Sequence, residues 1–519
     1  MRNFIIALCL VACGCATTGM GGAQPEITLA SVIGDHMVLQ QDMAAPVWGK
    51  TAPDTKVKVM LGNQTVTTRS DEQGNWKADL GPLKAGGPYD IRVKAGKTEK
   101  VIADVLVGEV WVCSGQSNMQ WTVSNSNDAE NEIKNANHPE IRLFTVARKT
   151  SEEPLSECEG SWTVCSPESI PEFSAVGYFF GRRVHQTLGV PVGLINTSWG
   201  GTPAEAWTSM PKLQSNPDFQ PIIDRWDDIV KNYPQTKADY DKALAEWQKK
   251  ADEAKANNQP EPGDKPRAPM GPDSPHRVAS LYNGMIQPLI PYGIRGAIWY
   301  QGESNAGRAY QYRSLFPAMI EDWRANWGQD EFPFLFVQLA NFMKRNPDAN
   351  ASSAWAELRE AQSMTLGLEN TGQAVIIDIG EADDIHPRNK QDVGSRLAQS
   401  AWHVAYDMDG AIWSGPVMST MKVEGNAVRI TFDHANQGLM ANGDALRGFA
   451  VAGEDKVFHW ADATIDGNAV VVSSPDVANP VAVRYGWGDN PLCNLYNGAG
   501  LPASPFRTDD WPGVTAESK

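Results

Sequence analysis

The sequence has little positive charge. Its 519 residues include 45 Lys and Arg against 62 Asp and Glu, which gives a net charge of −17. Proteins that bind nucleic acid or anionic membranes need a basic face that displaces counterions, so the composition argues against both partners. Charged residues make up only 21% of the chain and apolar residues 42%. These fractions exclude wholesale disorder and are sufficient for ordinary hydrophobic cores.

Long apolar runs are also missing. Beyond the N-terminus no segment reaches the ~18 consecutive apolar residues that a transmembrane helix needs. At the N-terminus, Arg2 precedes a short apolar run from Phe4 to Ala12, which is the pattern of a signal peptide. The following Cys13-Gly14 makes the end of this run resemble a bacterial lipoprotein box. We predict export to the bacterial periplasm or cell surface with a lipid anchor at Cys13. The alternative is a plain secretory peptide cut between residues 16 and 23.

Cysteine is scarce as well. Only seven are present, of which three fall in the predicted targeting segment. Their spacing is not that of a zinc site, and we predict neither a metal nor a cofactor. An exported location permits disulfides, and a bond between Cys158 and Cys165 would close a short loop. The four cysteines outside the targeting segment are Cys113, Cys158, Cys165 and Cys493.

Strand patterns follow the targeting segment and its Gly-rich linker, which together span residues 1–25. Lys56–Leu61 and Thr65–Thr68 alternate apolar and polar residues across a Gly62-Asn63 turn, which is typical of a β-hairpin. We predict a β-sandwich domain over 26–104.

The pattern changes near residue 105. Uninterrupted apolar runs bounded by Gly or Pro alternate with helical patterns, which predicts a parallel sheet covered on both faces, with its active site at the carboxyl ends of the strands. We therefore predict a catalytic α/β domain over 105–405. The runs are Val110–Val112, Val192–Ile195, Gly296–Tyr300, Phe334–Leu339 and Ala374–Ile377, and the helices include Ala175–Thr187 and Tyr312–Trp327.

Two further regions complete the chain. Residues 211 to about 275 interrupt the α/β pattern with a charged helix, Lys237–Lys255, and a Pro-rich linker, and we interpret them as a surface insertion that could act as a lid. Strand patterns return from 406, for example Val428–Phe432, Ala469–Ser473 and Val481–Tyr485, and predict a second β-rich domain over 406–519. No internal repeat is evident.

Polar motifs occur where four of the predicted strands end or shortly after. The first contains Ser117, whose hydroxyl is a weak nucleophile until a base takes its proton. The second contains Gly200-Gly201, where the absent Cβ atoms let backbone N–H groups approach an oxyanion. The third is Gln301–Asn305. The fourth contains His386, close behind Asp383 and Asp384, either of which could orient its imidazole. Each motif alone could be an ordinary turn, but four together at the edge of one sheet predict a catalytic site.

These motifs resemble the sialate O-acetylesterase family of SGNH hydrolases. The resemblance covers about 105–405, follows the family's order, and implies a flavodoxin-like α/β/α sandwich with serine esterase activity. The matching segments are Gly115–Met119, Trp199–Thr202, Trp299–Asn305, Leu358–Gln362 and Asp384–Pro387.

The resemblance also implies roles for individual residues. Ser117 would be the nucleophile and His386 the general base and acid. The wider superfamily places its aspartate three residues before the histidine, which favours Asp383, whereas the Asp-Ile-His pattern of the family points to Asp384. We narrowly favour Asp383 and retain Asp384.

The oxyanion donors implied are the Ser117 N–H, the N–H of Gly200 or Gly201, and a side-chain amide. Ser304 stands where the superfamily has an asparagine, so either Gln301 or Asn305 would supply that amide.

The implied substrate is an O-acetylated glycan, with O-acetylated sialic acids ranked first. An acetylated plant polysaccharide such as xylan is the alternative, and a non-catalytic glycan-binding lipoprotein is a third reading. The oligomeric state is left open. Gln116, Trp199, Glu303 and Arg388 are predicted to line the substrate site, Glu303 by orienting its neighbours. Further aromatic and basic candidates near the motifs are Trp121, Trp207, Arg295 and Arg359.

Overall fold

The structure, a computed structural model, describes residues 26–518. The predicted signal peptide and the lipid attachment site at Cys13 lie outside these residues. Within the described part of the chain, no helix is long and apolar enough to cross a membrane.

The N-terminal strands form two layers. A three-stranded antiparallel sheet has the order β1-β3-β6, and a second sheet joins β5, β4, β7 and the first half of β8, with β2 parallel to β8. Val57 and Val59 of β4 point into the core while the lysines beside them are exposed, which is the alternation that the sequence predicts. The strands are β1 (Thr28–Leu29), β2 (Val38–Gln40), β3 (Ala45–Lys50), β4 (Lys56–Leu61), β5 (Gln64–Arg69), β6 (Asn75–Leu80), β7 (Gly86–Ala95) and β8 (Thr98–Gly115).

A mostly parallel sheet occupies the centre of the molecule. Its order is β10-β9-β11-β8-β12-β13-β14, and only the edge strand β10 is antiparallel to its neighbour. The protein is therefore a mixed α/β protein, as predicted. The additional strands are β9 (His138–Thr145), β10 (Trp162–Cys165), β11 (Val192–Ser198), β12 (Gly296–Tyr300), β13 (Phe334–Val337) and β14 (Thr371–Ala374).

The prediction of a strand over Ala374–Ile377 is wrong in its bounds. Strand β14 pairs with β13 from Thr371 to Ala374, and β13 itself ends at Val337. Residues 375–377 therefore have no ladder partner on that side, although their apolar side chains are buried.

Strand β8 crosses the predicted boundary between residues 104 and 105. Its first half pairs with β7, and its second half lies between β11 and β12. Buried residues from both sides of this boundary form one continuous hydrophobic core. The strand that carries the first polar motif is thus held by both sheets.

Helices cover both faces of the central sheet. Trp111 of β8 packs edge-on against Phe180 of α3, whereas Trp299 of β12 stacks on Phe316 of α6. Trp299 is in register with Ser114, three residues from Trp111, so the two tryptophans point to opposite faces. The helices are α1 (Ser117–Gln120), α2 (Ala129–Lys134), α3 (Ala175–Leu188), α4 (Met210–Gln214), α5 (Gln220–Ala256), α6 (Ala309–Trp327), α7 (Ala354–Met364) and α8 (Lys390–Val404).

The insertion contains a longer helix than predicted. Helix α5 has 37 residues and begins at Gln220, not at Lys237. Ile222 and Trp226 in its first turns are buried, whereas most of the later residues are exposed. The first turns are anchored in the main hydrophobic core by Ile222 and Trp226, whereas the second half is mostly charged and exposed and alone gave the sequence pattern of a solvated helix.

The C-terminal strands form small antiparallel sheets. Their orders are β15-β16-β21-β20, β17-β23 and β19-β18-β22-β24. The strands are β15 (Val417–Glu424), β16 (Ala427–Asp433), β17 (Leu439–Ala441), β18 (Phe449–Ala452), β19 (Phe458–Trp460), β20 (Asp462–Asp466), β21 (Ala469–Ser473), β22 (Ala482–Tyr485), β23 (Leu495–Asn497) and β24 (Phe506–Arg507).

No disulfide joins Cys158 to Cys165, so the suggested short loop is not closed by a bond. Both thiols are free and buried, and burial raises the pKa of each to about 12. The Cys165 Sγ lies instead against the Ala136 carbonyl oxygen, at 3.5 Å. Cys113 and Cys493 are also free.

Candidate active site

Ser117 follows a sharp exit from strand β8. Gly115 ends the strand with a φ of +134°, and a Cβ atom there would lie 2.2 Å from the Tyr300 carbonyl oxygen of β12. Only glycine fits this close approach of two strand ends. The Gln116 N–H then donates to that same Tyr300 oxygen at 3.0 Å, and Ser117 begins helix α1. The serine is thereby held at the carboxyl edge of the central sheet.

His386 lies against Ser117. Its Nε2 is 2.8 Å from the Ser117 Oγ, although the two residues are 269 positions apart. The Trp121 ring stacks on the imidazole with centroids 5.0 Å apart and planes 14° apart, which fixes the ring orientation. Burial lowers the pKa of His386, and the charge of Lys390 lowers it further. A neutral imidazole in contact with a serine hydroxyl can act as a base towards it.

The two aspartates before His386 differ in position. Asp384 Oδ1 lies 3.6 Å from the His386 Nδ1 and accepts the His386 backbone N–H at 2.8 Å. Asp383 is exposed and, within residues 26–518, has no side-chain hydrogen bond or ion pair. The geometry therefore favours Asp384 as the carboxylate beside the imidazole, against the narrow preference for Asp383, because the local turn brings Asp384 back onto the histidine.

Gly200 lies beside the nucleophile. A Cβ on Gly200 would be 3.2 Å from the Ser117 Cβ, so the missing side chain allows this backbone to approach Ser117. The Gly200 N–H donates to the Gln120 Oε1 at 2.8 Å. In the described part of the chain neither the Ser117 N–H nor the Gly201 N–H has an acceptor. Both remain available to an oxyanion.

The two amides predicted for the oxyanion site are already occupied. Gln301 is fully buried, and its Nε2 donates to the Thr202 carbonyl oxygen and to the Asn305 Oδ1. Asn305 is buried too, and its Nδ2 donates to the Glu205 Oε2 at 2.8 Å. Both donors of the Gln301 amide are used, and the Asn305 amide is buried with one of its two donors bound to Glu205, so the geometry favours neither residue as the oxyanion donor.

Gln116 offers the free amide instead. Its Oε1 accepts the backbone N–H groups of Gly302 and Ser304, each at 3.3 Å. No acceptor for its Nε2 is found among residues 26–518, and the residue immediately precedes Ser117. The third motif therefore contributes by orienting the amide of the first motif.

A buried polar network, which the sequence analysis missed, lies behind the serine and histidine. Asn118 Nδ2 donates to the Glu303 Oε1 at 2.6 Å and to the Ile385 carbonyl oxygen at 3.0 Å, and its Oδ1 accepts from Lys390 Nζ at 2.6 Å. Burial raises the pKa of Glu303 and lowers that of Lys390 to about 7. Asn118 thus ties three of the motifs together. Asn118 stands inside the first motif and Lys390 three residues after the fourth, but their burial has no signature in the residue types.

The predicted substrate residues fall into two groups. Trp121 and Trp199 are partly exposed beside the catalytic groups, and the Arg148 guanidinium lies 5.9 Å from the centre of the Trp199 ring. Arg388 is exposed, two residues after His386. These side chains can contact a ligand at Ser117.

The other aromatic and basic candidates are structural. Trp207 is fully buried against Trp299, so its placement in the cleft is wrong. Arg295 forms an ion pair with Glu109 near the start of the parallel strands. Arg359 is fully buried and donates to four backbone carbonyl groups, which are those of Leu339, Ala340, Gly488 and Asp489.

Within residues 26–518, no group of three or more His, Cys, Asp or Glu side chains is placed to hold a metal ion.

Comparison with known proteins identifies the family. The model of the family "Carbohydrate esterase, sialic acid-specific acetylesterase" matches residues 107–256 and 274–403. The sialate O-acetylesterase of Mus musculus is 31% identical over 97% of this chain and 97% of its own. The human sialate O-acetylesterase is 31% identical over 93% of each chain. The crystal structure of a carbohydrate acetylesterase from Xanthomonas citri, 40% identical, superposes with a TM-score of 0.80 and covers 94% of this chain and 100% of that one.

The protein is thus a carbohydrate O-acetylesterase. More narrowly, the chain belongs to the family of sialic acid-specific acetylesterases among the carbohydrate esterases, which confirms the resemblance found in the motifs.

Proposed function

We propose that this esterase removes O-acetyl groups from sugars through a Ser117-His386-Asp384 triad on an SGNH-type, flavodoxin-like α/β/α sandwich. The observation that carries the proposal is the 2.8 Å contact between the Ser117 Oγ and the His386 Nε2 at the carboxyl edge of the parallel sheet. The Asp384 carboxylate next to Nδ1 supports the same assignment. This contact also argues against the non-catalytic glycan-binding alternative.

The reaction has two halves. His386 takes the Ser117 proton while Ser117 Oγ attacks the acetyl carbonyl carbon, and the tetrahedral intermediate collapses when His386 protonates the departing sugar oxygen. Water, deprotonated by His386, then attacks the acetyl-serine, and acetate leaves as Ser117 regains its proton. Asp384 orients the imidazole and stabilises its cationic form during both halves.

The negative charge on the carbonyl oxygen needs donors that are free before the reaction starts. The Ser117 N–H, the Gly201 N–H and the Gln116 Nε2 have no acceptor within residues 26–518, and they belong to the nucleophile itself, to the residue before it and to the glycine pair whose Gly200 lies against Ser117. The Gly200 N–H would join them only after leaving the Gln120 Oε1. We assign the oxyanion site to the first three donors.

O-acetylated sialic acid is the proposed sugar. The whole chain carries a net charge of −17, which opposes an anionic substrate, but two arginines lie close to residues of the site motifs. Arg148 lies over the Trp199 ring, and Arg388 is exposed on the loop that follows His386. A guanidinium recognises a carboxylate through paired hydrogen bonds, and sialic acid carries such a carboxylate.

Acetate release from defined substrates tests the proposal. We expect the purified enzyme to release acetate from 9-O-acetylated sialosides faster than from acetylated xylan or acetylated mannan. Faster release from xylan or mannan would replace the proposed sugar by a neutral plant polysaccharide and leave the triad intact. No release from any of the three, with p-nitrophenyl acetate also untouched, would contradict the esterase site itself.

The outer parts of the chain keep their predicted roles as proposals. We assign 26–104 and 406–519 to β domains that flank the catalytic part at 105–405, and Cys13 to lipid attachment in the periplasm or at the cell surface. Strand β8 (Thr98–Gly115) runs through the boundary between residues 104 and 105. The chain passes there from one sheet to the next, while the hydrophobic core continues across the boundary.

Lys390 gives the proposed mechanism a pH signature. The ammonium group is buried next to Asn118 and, after burial, its charge is the next largest influence that lowers the pKa of His386. Because only the neutral imidazole accepts the serine proton, activity falls as the pH drops through the His386 pKa. Lys390→Met removes the charge, so this pKa rises, and the acid limb of kcat/KM is expected to move to higher pH.

The measurement is a pH profile of kcat/KM with p-nitrophenyl acetate. Lys97→Met, which removes an exposed lysine on the N-terminal β region, serves as the control and is expected to leave the profile unchanged. If Lys390→Met lowers kcat/KM equally at every pH without moving the acid limb, Lys390 acts only on packing.

A further inference from the structure

A second cleft lies beside the central sheet. It has a volume of about 460 Å³ and lies between the loop 345–353, which follows β13, and the C-terminal segments 446–449, 460–462 and 487–492. Its size falls within the range of about 300–1,000 Å³ that small-molecule sites occupy. We name it the Trp460 cleft. None of the catalytic groups or oxyanion donors lines it.

Two tryptophans give the cleft its aromatic surfaces. Trp460 is 49% exposed, and its indole N–H donates to the Pro347 carbonyl oxygen at 2.8 Å, so the ring is fixed while much of its surface remains open. Trp487 is held by the guanidinium groups of Arg484 and Arg507, each 5.1 Å from its ring centre. Those arginines are themselves paired with Asp509. The aromatic surfaces are therefore rigid before any ligand arrives.

The polar lining carries both donors and acceptors. The guanidinium groups of Arg345 and Arg447 form no hydrogen bond or ion pair with residues 26–518, and the Asp462 carboxylate likewise has no partner there. A lining that alternates indole faces with free donors and acceptors suits a polyhydroxylated ligand. Sugar rings present an apolar C–H face to an aromatic ring and hydroxyl groups to the polar residues around it.

The floor of the cleft is tied to the catalytic loop. Asn341 Nδ2 donates to the Asn490 Oδ1 of the cleft at 2.9 Å, and Asn341 Oδ1 accepts the backbone N–H of Gly380 at 2.7 Å. Gly380 belongs to the segment that carries Asp384 and His386. Buried Arg359 joins the Gly488 and Asp489 carbonyl groups to those that follow β13. The cleft and the nucleophile thus lie at the same edge of the sheet, on a common rigid support.

We propose that the Trp460 cleft binds a further stretch of the glycan chain whose acetyl ester is hydrolysed at Ser117. This goes beyond the acetyl-transfer site, on whose assignment to a carbohydrate it rests. The cleft would raise the affinity for oligomeric and polymeric substrates and leave small acetyl esters unaffected, because p-nitrophenyl acetate cannot reach both places.

Kinetics with long and short substrates test the proposal. Trp460→Ala is expected to raise KM about tenfold on at least one of acetylated xylan, acetylated mannan and O-acetylated polysialic acid, as the loss of a stacking contact of about 1.4 kcal/mol predicts. Its kcat/KM on p-nitrophenyl acetate is expected to equal that of the wild type. Trp247→Ala is the matched control. Trp247 lies on the insertion helix α5, does not line the Trp460 cleft, and its indole N–H also donates to a backbone carbonyl group, that of Gly263.

A second variant and a binding measurement separate failure of the cleft from failure of the catalytic assignment. Arg345→Ala/Arg447→Ala removes two exposed side chains that have no hydrogen-bond or ion-pair partner within residues 26–518, so folding is not at risk. Affinity electrophoresis through gels that contain deacetylated xylan, mannan or polysialic acid reads binding without catalysis. Retardation of the wild type and of Trp247→Ala, reduced in both cleft variants, supports the proposal. No retardation by any of the three polymers, or equal retardation of all variants, overturns it whatever the esterase activity is.

Discussion

Ser117→Ala is expected to lower kcat for p-nitrophenyl acetate by about 10⁵- to 10⁶-fold, the loss that follows removal of a triad serine. The only hydroxyl in contact with His386 Nε2 within the described residues is that of Ser117, at 2.8 Å. Without this hydroxyl no acetyl-enzyme can form, and the oxyanion donors alone provide only a small residual rate. The measurement is the rate of p-nitrophenol release at saturating substrate.

The matched control is Ser124→Ala, which removes an exposed hydroxyl from the loop after α1. Its rate is expected to equal that of the wild type, and both variants are expected to keep the wild-type Tm. A Ser117→Ala enzyme with a rate within a few fold of the wild type would rule out the triad and every step built on it.

The same assay decides between the aspartates. Asp384→Asn is expected to lower kcat about 10⁴-fold, because the carboxylate that orients the imidazole and stabilises its charge is lost. Asp383→Asn is expected to behave like the wild type, since Asp383 is exposed and its side chain contacts no other charged group of residues 26–518. The opposite result would assign the orienting role to Asp383, at the position three residues before the histidine.

Most strands of the central sheet were predictable from apolar runs bounded by Gly or Pro, although the bounds of the run at 374–377 were wrong. The predicted run Val192–Ile195 lies within β11, and the run Gly296–Tyr300 is β12. The motifs that follow these two strands meet at one edge of the sheet. The extent of β8 was not predictable. The first part of β8 is mostly exposed and the second part is wholly buried, so one strand carries two different patterns and is predicted as two separate strands.

Residue types alone also did not show which polar side chain of the site is available to the oxyanion. Gln116, Gln301 and Asn305 are all amides at the ends of strands, and what separates them is which donors the folded chain already uses. The hydrogen bonds of Gln301 and Asn305 connect residues about 100 positions apart. Lys390 posed the same difficulty, because a lysine at the start of a helix is usually solvated, whereas here it is buried and donates to Asn118.

Gln116→Glu is expected to lower kcat by about 10²- to 10³-fold, the usual loss for one oxyanion donor. The substitution keeps an oxygen for the Gly302 and Ser304 N–H groups, which now orient Gln116 Oε1 at 3.3 Å, and replaces only the Nε2 donor. Because negative charge on the carbonyl oxygen develops only in the transition state, KM is expected to change little. The measurement is kcat and KM for p-nitrophenyl acetate, with Gln116→Ala as a second variant that adds no charge.

Asn305→Ala supplies the contrasting case. It leaves the Glu205 Oε2 and the Ala204 N–H without the Asn305 amide that now binds them, so we expect a lower Tm and little change in kcat per folded molecule. If instead Asn305→Ala lowered kcat about 10²-fold at an unchanged Tm while both Gln116 variants kept the wild-type rate, the third motif would supply the amide directly. The pair of measurements thus separates a donor that acts on the substrate from one that holds the strand ends together.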